Sequence, residues 1–198
     1  MGETEDETHL TFTPWTMYQG KPVLVQTSNF GGAQGTVFND SQDASNFPNS
    51  DPGLMIDPQR PIKQMQFGAG WCVDAITTTY RMSDGTTKVI QRGSSVPSSS
   101  PNIKTVTLND NEIVSQICGF AGNYAYYQKS LLIQVLLVIT DTVTGAVRTA
   151  GPFGGGNGIG GGTFFSVSNP LCLAGFQTAG SDQIGISGLS IIKSNNSE

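Results

Sequence analysis

Short runs of β-branched and aromatic residues recur along most of the chain, and each run ends at glycine, aspartate or serine. Runs of this kind between turn-forming residues are typical of β-strands. No segment of sufficient length carries the period of an amphipathic helix, so the pattern predicts an all-β protein. The predicted strands are residues 23–25, 62–67, 75–82, 87–91, 103–108, 113–120, 131–140, 146–150, 163–167, 171–176 and 187–193.

The connections between these runs carry turn signals of their own. Asp84-Gly85 and residues 141–145 predict hairpin turns, while residues 41–61, 94–101 and 151–162 predict irregular loops. The last loop is glycine-rich. A phosphate-binding loop would be followed by a Lys-Ser/Thr pair and a helix, and this loop is followed by neither. We therefore expect a turn between strands.

Charge excludes several classes of partner. The 198 residues, enough for roughly one domain, carry a net charge of −5 and a pI near 4.7. An acidic chain with scattered lysines and arginines is unsuited to nucleic acid or anionic lipid. The longest apolar run, residues 131–139, is interrupted by Gln134 and is too short to cross a bilayer. The sequence predicts neither nucleic-acid binding nor membrane insertion.

Histidine and cysteine are too few for most catalytic or metal sites. His9 is the one histidine, and Cys72, Cys118 and Cys172 have no zinc-like spacing. We expect no metal, no cofactor and reduced thiols. The acidic start at Met1 lacks the pattern of a signal peptide, which predicts a cytoplasmic or non-classically released protein.

Weak internal repetition suggests approximate threefold symmetry. Residues 117–122 are echoed by residues 173–178, and three strand ends carry glycine loops. These loops are Gly31-Gly32, Gly93-Ser94 and Gly154-Gly155-Gly156.

Several segments, in order, resemble the jacalin-related lectins of the mannose- and glucose-binding, banana-lectin-like type. They are the glycine loop at 30–39, Gly-Trp-Cys-Val-Asp-Ala-Ile at 70–76, Gly-Pro-Phe-Gly at 151–154, Gly-Thr-Phe-Phe at 162–165, and Gly-Phe at 175–176 with Gly-Leu at 188–189. The resemblance implies a β-prism of three four-stranded Greek-key sheets and sugar binding without catalysis. It implies one domain over residues 23–194, with an N-terminal extension (1–22) and a tail (195–198). The chain runs uncut through its first glycine loop, which by resemblance favours mannose or glucose over galactose.

Family sites pair a Gly-x-x-x-Asp turn with a neighbouring glycine loop, and the second such site is the more complete here. By resemblance, amides of Trp71 and Cys72 would donate to sugar hydroxyls, the Asp74 carboxylate would accept from them, and Gly93 or Ser94 would hold a third. Without the resemblance, Asp74 could simply cap a turn and Trp71 pack in the core. The second-site residues are Gly70, Trp71, Cys72, Asp74, Gly93 and Ser94.

The first site departs from the family pattern. An ungapped alignment from Gly175-Phe176 places Gly185 where the sugar-binding aspartate is expected, whereas a gapped one places Asp182 there. The first-site residues are Gly31, Gly32, Asp182 and Gln183.

The third pseudo-equivalent position, residues 122–127, has tyrosines and no aspartate; the tyrosines could stack on a sugar or fill an interface. Two other functions remain open: a β-prism interaction scaffold without sugar binding, and a glycoside hydrolase using Asp74 and Asp182. Because single sugar sites are weak, we expect glycan partners and a homodimer or larger oligomer.

Overall fold

The computed structural model describes residues 17–18, 21–22, 24–45, 54–94, 100–178 and 185–194. Within these residues the chain forms fifteen β-strands and one short helix. In chain order they are β1 (Met17–Tyr18), β2 (Lys21–Pro22), β3 (Leu24–Gln26), β4 (Phe30–Gly31), β5 (Thr36–Asn39), α1 (Asp40–Ala44), β6 (Ile62–Ala69), β7 (Val73–Arg81), β8 (Thr87–Gly93), β9 (Ile103–Thr107), β10 (Glu112–Tyr124), β11 (Lys129–Asp141), β12 (Val147–Gly154), β13 (Gly161–Ser168), β14 (Cys172–Gln177) and β15 (Ile186–Ser194).

The strands form three main antiparallel sheets, and β1 pairs with β2 in a separate ribbon. The first sheet has the order β3-β15-β14-β5, and β4 continues the edge position of β3 along β15. The second has the order β8-β7-β6-β9 and the third β12-β11-β10-β13. In the second and third sheets the fourth strand returns beside the first, which is the Greek-key order. The predicted all-β prism of three sheets is confirmed.

Of the two hydrophobic clusters that the described buried residues form, the larger joins the three sheets. The alternation of apolar residues along β11 turns Val135, Leu137 and Ile139 into the core, where each is almost fully buried. Aromatic pairs stack across the boundaries between sheets. The ring of Phe67 in the second sheet lies 4.2 Å from that of Phe153 in the third. Burial of each such side chain contributes about 1.5–3 kcal/mol, so the core fixes how the sheets meet.

Helix α1 overlaps the start of residues 41–61, which the sequence predicted to be an irregular loop, so that prediction was wrong there. Asn39 caps the helix, because its side chain accepts from the amides of Ser41 and Gln42. The helix buries Asp40 against the sheets. The hydroxyl of Tyr80 donates to its Oδ2 at 2.5 Å and the Nε of Arg92 to its Oδ1 at 2.7 Å. These bonds tie the helix to the second sheet just before Gly93.

The glycine-rich segment 151–162 is also more regular than predicted. Its first four residues end β12 and its last two begin β13, so residues 155–160 alone make the connection. Within the described residues, no helix has the length and apolar character needed to cross a membrane.

Candidate functional site

Asp74 lies on a β-bulge at the start of β7. Gly68 pairs with Ala75 and Ala69 pairs with Val73, so Asp74 is left without a partner across the ladder. A bulge of this kind redirects a side chain, and bulges are common beside functional sites. Here it presents a half-buried carboxylate at the end of the sheet where residues 70–72 turn from β6 into β7.

The carbonyl groups of the turn accept hydrogen bonds, whereas two of its amide groups donate none within the described residues. The amide of Gly70 donates to the oxygen of Cys72, and the amides of Gly155 and Gly156 donate to the oxygens of Trp71 and Gly70, each at 3.1 Å. The amides of Trp71 and Cys72 have no acceptor in the described part of the chain. The loop after β12 therefore braces the turn, and two donors remain beside one carboxylate.

Burial sets the ionisation of the two side chains inside this turn. It raises the pKa of Asp74, against the opposing effect of a hydrogen bond from the Cys72 thiol, whose Sγ lies 3.5 Å from Oδ1. Burial and the neighbouring Asp74 carboxylate raise the pKa of Cys72 to about 12. Cys72 is thus a protonated donor at neutral pH, and it is unpaired, as are Cys118 and Cys172.

The second glycine loop lies against Asp74, as the sequence predicted, but its amides are already engaged. The amide of Ser94 donates to the main-chain oxygen of Asp74 at 2.9 Å, and that of Gly93 to Oε1 of Gln177 at 2.8 Å. A Cβ at Gly93 would lie 2.2 Å from the Asp74 oxygen, and φ is +79° there, so the contact requires glycine. The six second-site residues are brought together, with Gly93 and Ser94 supporting the turn.

Tyrosine side chains border the turn, although the sequence assigned these tyrosines to a separate, third position. The ring of Tyr126 meets that of Trp71 edge to face at 4.9 Å, and Tyr127 meets Tyr126 at 5.0 Å. Trp71 is 44% exposed and Tyr126 65%, whereas Tyr124 is buried. The alternative that Trp71 packs in the core is therefore wrong. Burial, with smaller contributions that include the charge of Asp74, raises the pKa of Tyr127.

The bulge at Asp74 has a counterpart in each of the other two sheets. The register of β10 and β11 shifts at Ile133, and that of β14 and β15 shifts at Ser187. Of these three bulged residues, only Asp74 is a carboxylate. Each bulge faces a glycine with positive φ at the end of a neighbouring strand: Gly93 beside Asp74, Gly154 beside Ile133 and Gly31 beside Ser187.

This register corrects the alignment of the first site. The ungapped alignment placed Gly185 at the aspartate position, but the structure places Ser187 there. The two positions differ by two residues, and a bulge adds only one. The connection between β14 and β15, residues 178–185, is also longer than the turn at 70–72, so spacing alone does not reveal the equivalence. Ser187 is fully buried, and its hydroxyl donates to the main-chain oxygen of Gln34.

The remaining first-site residues are only partly described. Gly31 and Gly32 lie beside Ser187, and the amide of Gly32 donates to the Ser187 oxygen at 2.7 Å. Asp182 and Gln183 lie outside the described residues. The first site therefore lacks a carboxylate on its bulge, and the geometry favours the second site.

Among the described residues, no group of three or more histidine, cysteine or acidic side chains could hold a metal ion. Within the described part of the chain, the side chains at the turn that carries Asp74 include the thiol of Cys72, the phenol of Tyr127 and the indole of Trp71, which contacts Tyr126. These groups suit hydrogen bonding and stacking on a neutral polar ligand.

Comparison with known families agrees with this geometry. The sequence profile of the Jacalin-like lectin domain matches residues 27–188. This match confirms the resemblance predicted from the sequence motifs. A search of curated protein sequences found no significant match.

Solved structures of plant lectins share the fold. A mannose-binding jacalin-related lectin from Ananas comosus has a TM-score of 0.59 at 20% identity, covering 86% of this chain and 98% of that one. Wild-type Malaysian banana lectin has a TM-score of 0.61 at 18% identity, with 86% and 97% covered. A mannose-specific jacalin-related lectin from Morus nigra, solved with mannose, has a TM-score of 0.58 at 19% identity, with 90% and 99% covered. At these identities the likeness shows the β-prism fold.

Proposed function

We propose that this chain, which belongs to the jacalin-like lectin domain family, binds a mannose- or glucose-type sugar at Asp74 without chemically changing it. The observation that carries the proposal is the pair of free amides at Trp71 and Cys72 beside the bulged Asp74 carboxylate. The lectins from pineapple and black mulberry, described as mannose-binding and mannose-specific, support the choice of sugar.

The chemistry of the turn matches a pair of adjacent hydroxyls. The amides of Trp71 and Cys72 donate to two hydroxyl oxygens, and the Asp74 carboxylate accepts from the hydroxyl hydrogens. Bonds that involve an ionised group are shorter and about twice as strong as neutral ones, so Asp74 supplies the largest share. The exposed indole of Trp71 offers an apolar face for the C–H groups of the ring.

The described groups at the site support binding rather than catalysis. Glycosidases place two carboxylates about 5–9.5 Å apart on either side of the bond they cleave. Among the described residues, the side chains that accompany Asp74 at this turn are a protonated thiol, tyrosines and a tryptophan. A hydrolase would need Asp182 as the second carboxylate, and a chromogenic glycoside cleaved by the wild type but not by Asp74→Ala would demonstrate one.

A single shallow site of this kind binds in the millimolar range, about −4 kcal/mol. Several sites on one particle raise the apparent affinity by about 10² to 10⁴ without new contacts. We therefore include a homodimer or larger assembly in the proposal. Light scattering that finds only monomers at working concentration would remove that part of it.

The test is titration calorimetry with methyl α-mannoside and a mannose oligosaccharide. Asp74→Asn keeps the size of the side chain and removes its charge, so binding should fall more than tenfold. Asp110→Asn, which alters an exposed aspartate between β9 and β10, is the matched control and should bind normally. Circular dichroism checks that both variants are folded.

One other function has an observation in its favour. Two of the three bulges, at Ile133 and Ser187, carry no carboxylate, as expected of a prism that had become an interaction scaffold. Absence of binding by the wild type across a glycan array would favour the scaffold. Binding that survives in Asp74→Asn but is lost in Asp182→Ala would move the sugar to the first site.

A further inference from the structure

An open groove of about 440 Å³ adjoins the turn that carries Asp74. Its volume lies within the range of about 300–1,000 Å³ found for small-molecule sites. The backbone of Gly70 and the indole of Trp71 form one side, and Asn102, Lys104 and Pro152 line the rest together with the glycine loop after β12. The groove therefore shares Trp71 with the proposed sugar site.

Hydrogen bonds hold the walls of the groove in place. The amide of Ala69 donates to the oxygen of Asn102 at 3.1 Å, and the amide of Gly156 donates to the oxygen of Gly70 at the same distance. The side-chain nitrogen of Asn102 lies so near that a Cβ at Gly70 would be 3.4 Å from it. The groove is thus preformed, and a ligand that enters it need not order a loop.

The groove is within reach of a sugar held at Asp74. Trp71 precedes Asp74 by three residues, and a fully extended chain spans at most about 3.6 Å per residue, so their Cα atoms lie no more than about 11 Å apart. That length is comparable with a disaccharide. A ring bonded to Asp74 can therefore extend its glycosidic link past Trp71 into the groove.

The polar groups of the groove indicate what kind of sugar unit fits. Asn102 offers an amide, and Lys104 in β9 offers an exposed ammonium group that no described carboxylate pairs with. Pro152 and Trp71 add apolar surface. Amide, cation and apolar faces together suit a sugar ring that carries a negative group.

We propose that this groove is a second subsite, which holds the sugar unit linked to the one at Asp74 and prefers a unit bearing a carboxylate, such as a uronic acid. This inference rests on the proposed function and specifies its ligand further. Asp74 binds a neutral hexose, and Lys104 favours those glycans in which this hexose is linked to an acidic unit. An otherwise acidic protein thereby gains a local preference for an acidic glycan.

The test compares three ligands by calorimetry: methyl α-mannoside, a neutral mannose disaccharide and a disaccharide of mannose and glucuronic acid. The wild type should bind both disaccharides more tightly than the monosaccharide. It should also bind the acidic disaccharide roughly two- to fivefold more tightly than the neutral one, which is the scale of one exposed ion pair. The preference should shrink in 1 M salt, where such charges are screened.

Two lysine variants distinguish an effect of the groove on binding from an effect of the overall charge of the protein. Lys104→Glu should reverse the preference for the acidic disaccharide while leaving the monosaccharide affinity unchanged. Lys63→Glu makes the same charge change on an exposed lysine at the far end of β6 and should keep the preference. If all three proteins bind the two disaccharides equally, or no more tightly than the monosaccharide, the subsite is refuted although the lectin function stands. If methyl α-mannoside and both disaccharides fail to bind the wild type, the proposed function itself fails.

Discussion

The amide nitrogen of Gly93 donates to Oε1 of Gln177 across 2.8 Å, joining the glycine loop of the second sheet to the end of β14 in the first. Gly93 is one of the residues that the family pattern assigns to sugar contact. The side chain of Gln177 therefore occupies the donor that a third sugar hydroxyl would use. This contact could not be foreseen from the sequence, because the two residues are 84 positions apart.

Replacement of Gln177 by alanine should strengthen sugar binding by a few-fold, because the Gly93 amide becomes available to the ligand. Loss of one hydrogen bond should lower the free energy of unfolding by about 1 kcal/mol. Calorimetry and urea unfolding measure the two effects. Weaker binding in this variant would instead show that Gln177 positions the loop.

Sugar affinity should depend on pH through Asp74. Burial raises the pKa of this carboxyl above its usual 3.8, so its proton returns at a higher pH than for an exposed aspartate. Since the ionised form accepts from the hydroxyls, affinity should fall as the pH is lowered through that raised pKa. Calorimetry between pH 7 and pH 4 should show the fall in the wild type, and Asp74→Asn should show no comparable trend.

The raised pKa of Asp74 also affects the stability of the fold, but stability changes with pH in the opposite direction to sugar affinity. A carboxyl whose pKa is higher in the folded than in the unfolded state favours folding most below the unfolded value of about 3.8. That contribution is lost as the pH rises through the folded pKa. Ionisation of Asp74 therefore costs some stability, as is common for binding residues.

Most of the fold could be predicted because the strands are long, regular and bounded by turn residues. The segments that were missed are short. β5 has four residues and helix α1 has five. The sequence Asn39-Asp40-Ser41 matches the pattern for N-glycosylation. It also fits the start of a helix, because Asn39 can cap the helix and Asp40 and Asp43 are acidic residues in the first turn. Helix α1 depends on the contacts of Asp40 with Tyr80 and Arg92, which the local sequence does not contain.

The site was predicted in part for a similar reason. The residues of the Gly70–Asp74 turn are contiguous, so their spacing was visible in the sequence. The contribution of Tyr126 was not, because it comes from a turn more than fifty residues away that meets Trp71 only when the sheets pack. The equivalence of Ser187 to Asp74 was hidden by the bulge together with the longer connection between β14 and β15, which change the spacing from Gly175.

A second pH effect should come from Glu112, far from the sugar site. A two-pronged contact from Arg148, at 2.6 and 2.8 Å, and the amide of Asn109 lower the pKa of Glu112 from 4.5 to about 2. A lowered pKa stabilises the fold above the unfolded value, and the effect disappears as the pH falls from about 4.5 to 2.

The variant Glu112→Gln isolates this contribution because it keeps the shape of the side chain. Since Arg148 is partly exposed, the loss should be modest, about 1–2 kcal/mol at pH 7. Urea unfolding at pH 7 and pH 2 should show a difference from the wild type at the first pH and almost none at the second. An equal difference at both would mean that the charge of Glu112 is unimportant.

Gly185 should prove important to the site although it is not among the residues proposed to bind the sugar. Its φ is +77°, and a Cβ there would lie 2.5 Å from the Cα of Asp74. Gly185→Ala should therefore combine a backbone penalty of about 1–2 kcal/mol with a clash that displaces Asp74 and costs about 1–3 kcal/mol more. Both stability and sugar affinity should fall.

Gly85→Ala is the matched control for that clash. Gly85 has a similar φ of +84°, but a Cβ there would meet nothing within 4 Å. The variant Gly85→Ala should be destabilised only by the backbone penalty and should bind sugar normally. The difference in stability between the two variants therefore measures the contact with Asp74. If Gly185→Ala is destabilised yet retains full affinity, Asp74 does not depend on this packing for its position. If both variants lose affinity equally, the loss reflects reduced folding rather than displacement of the carboxylate.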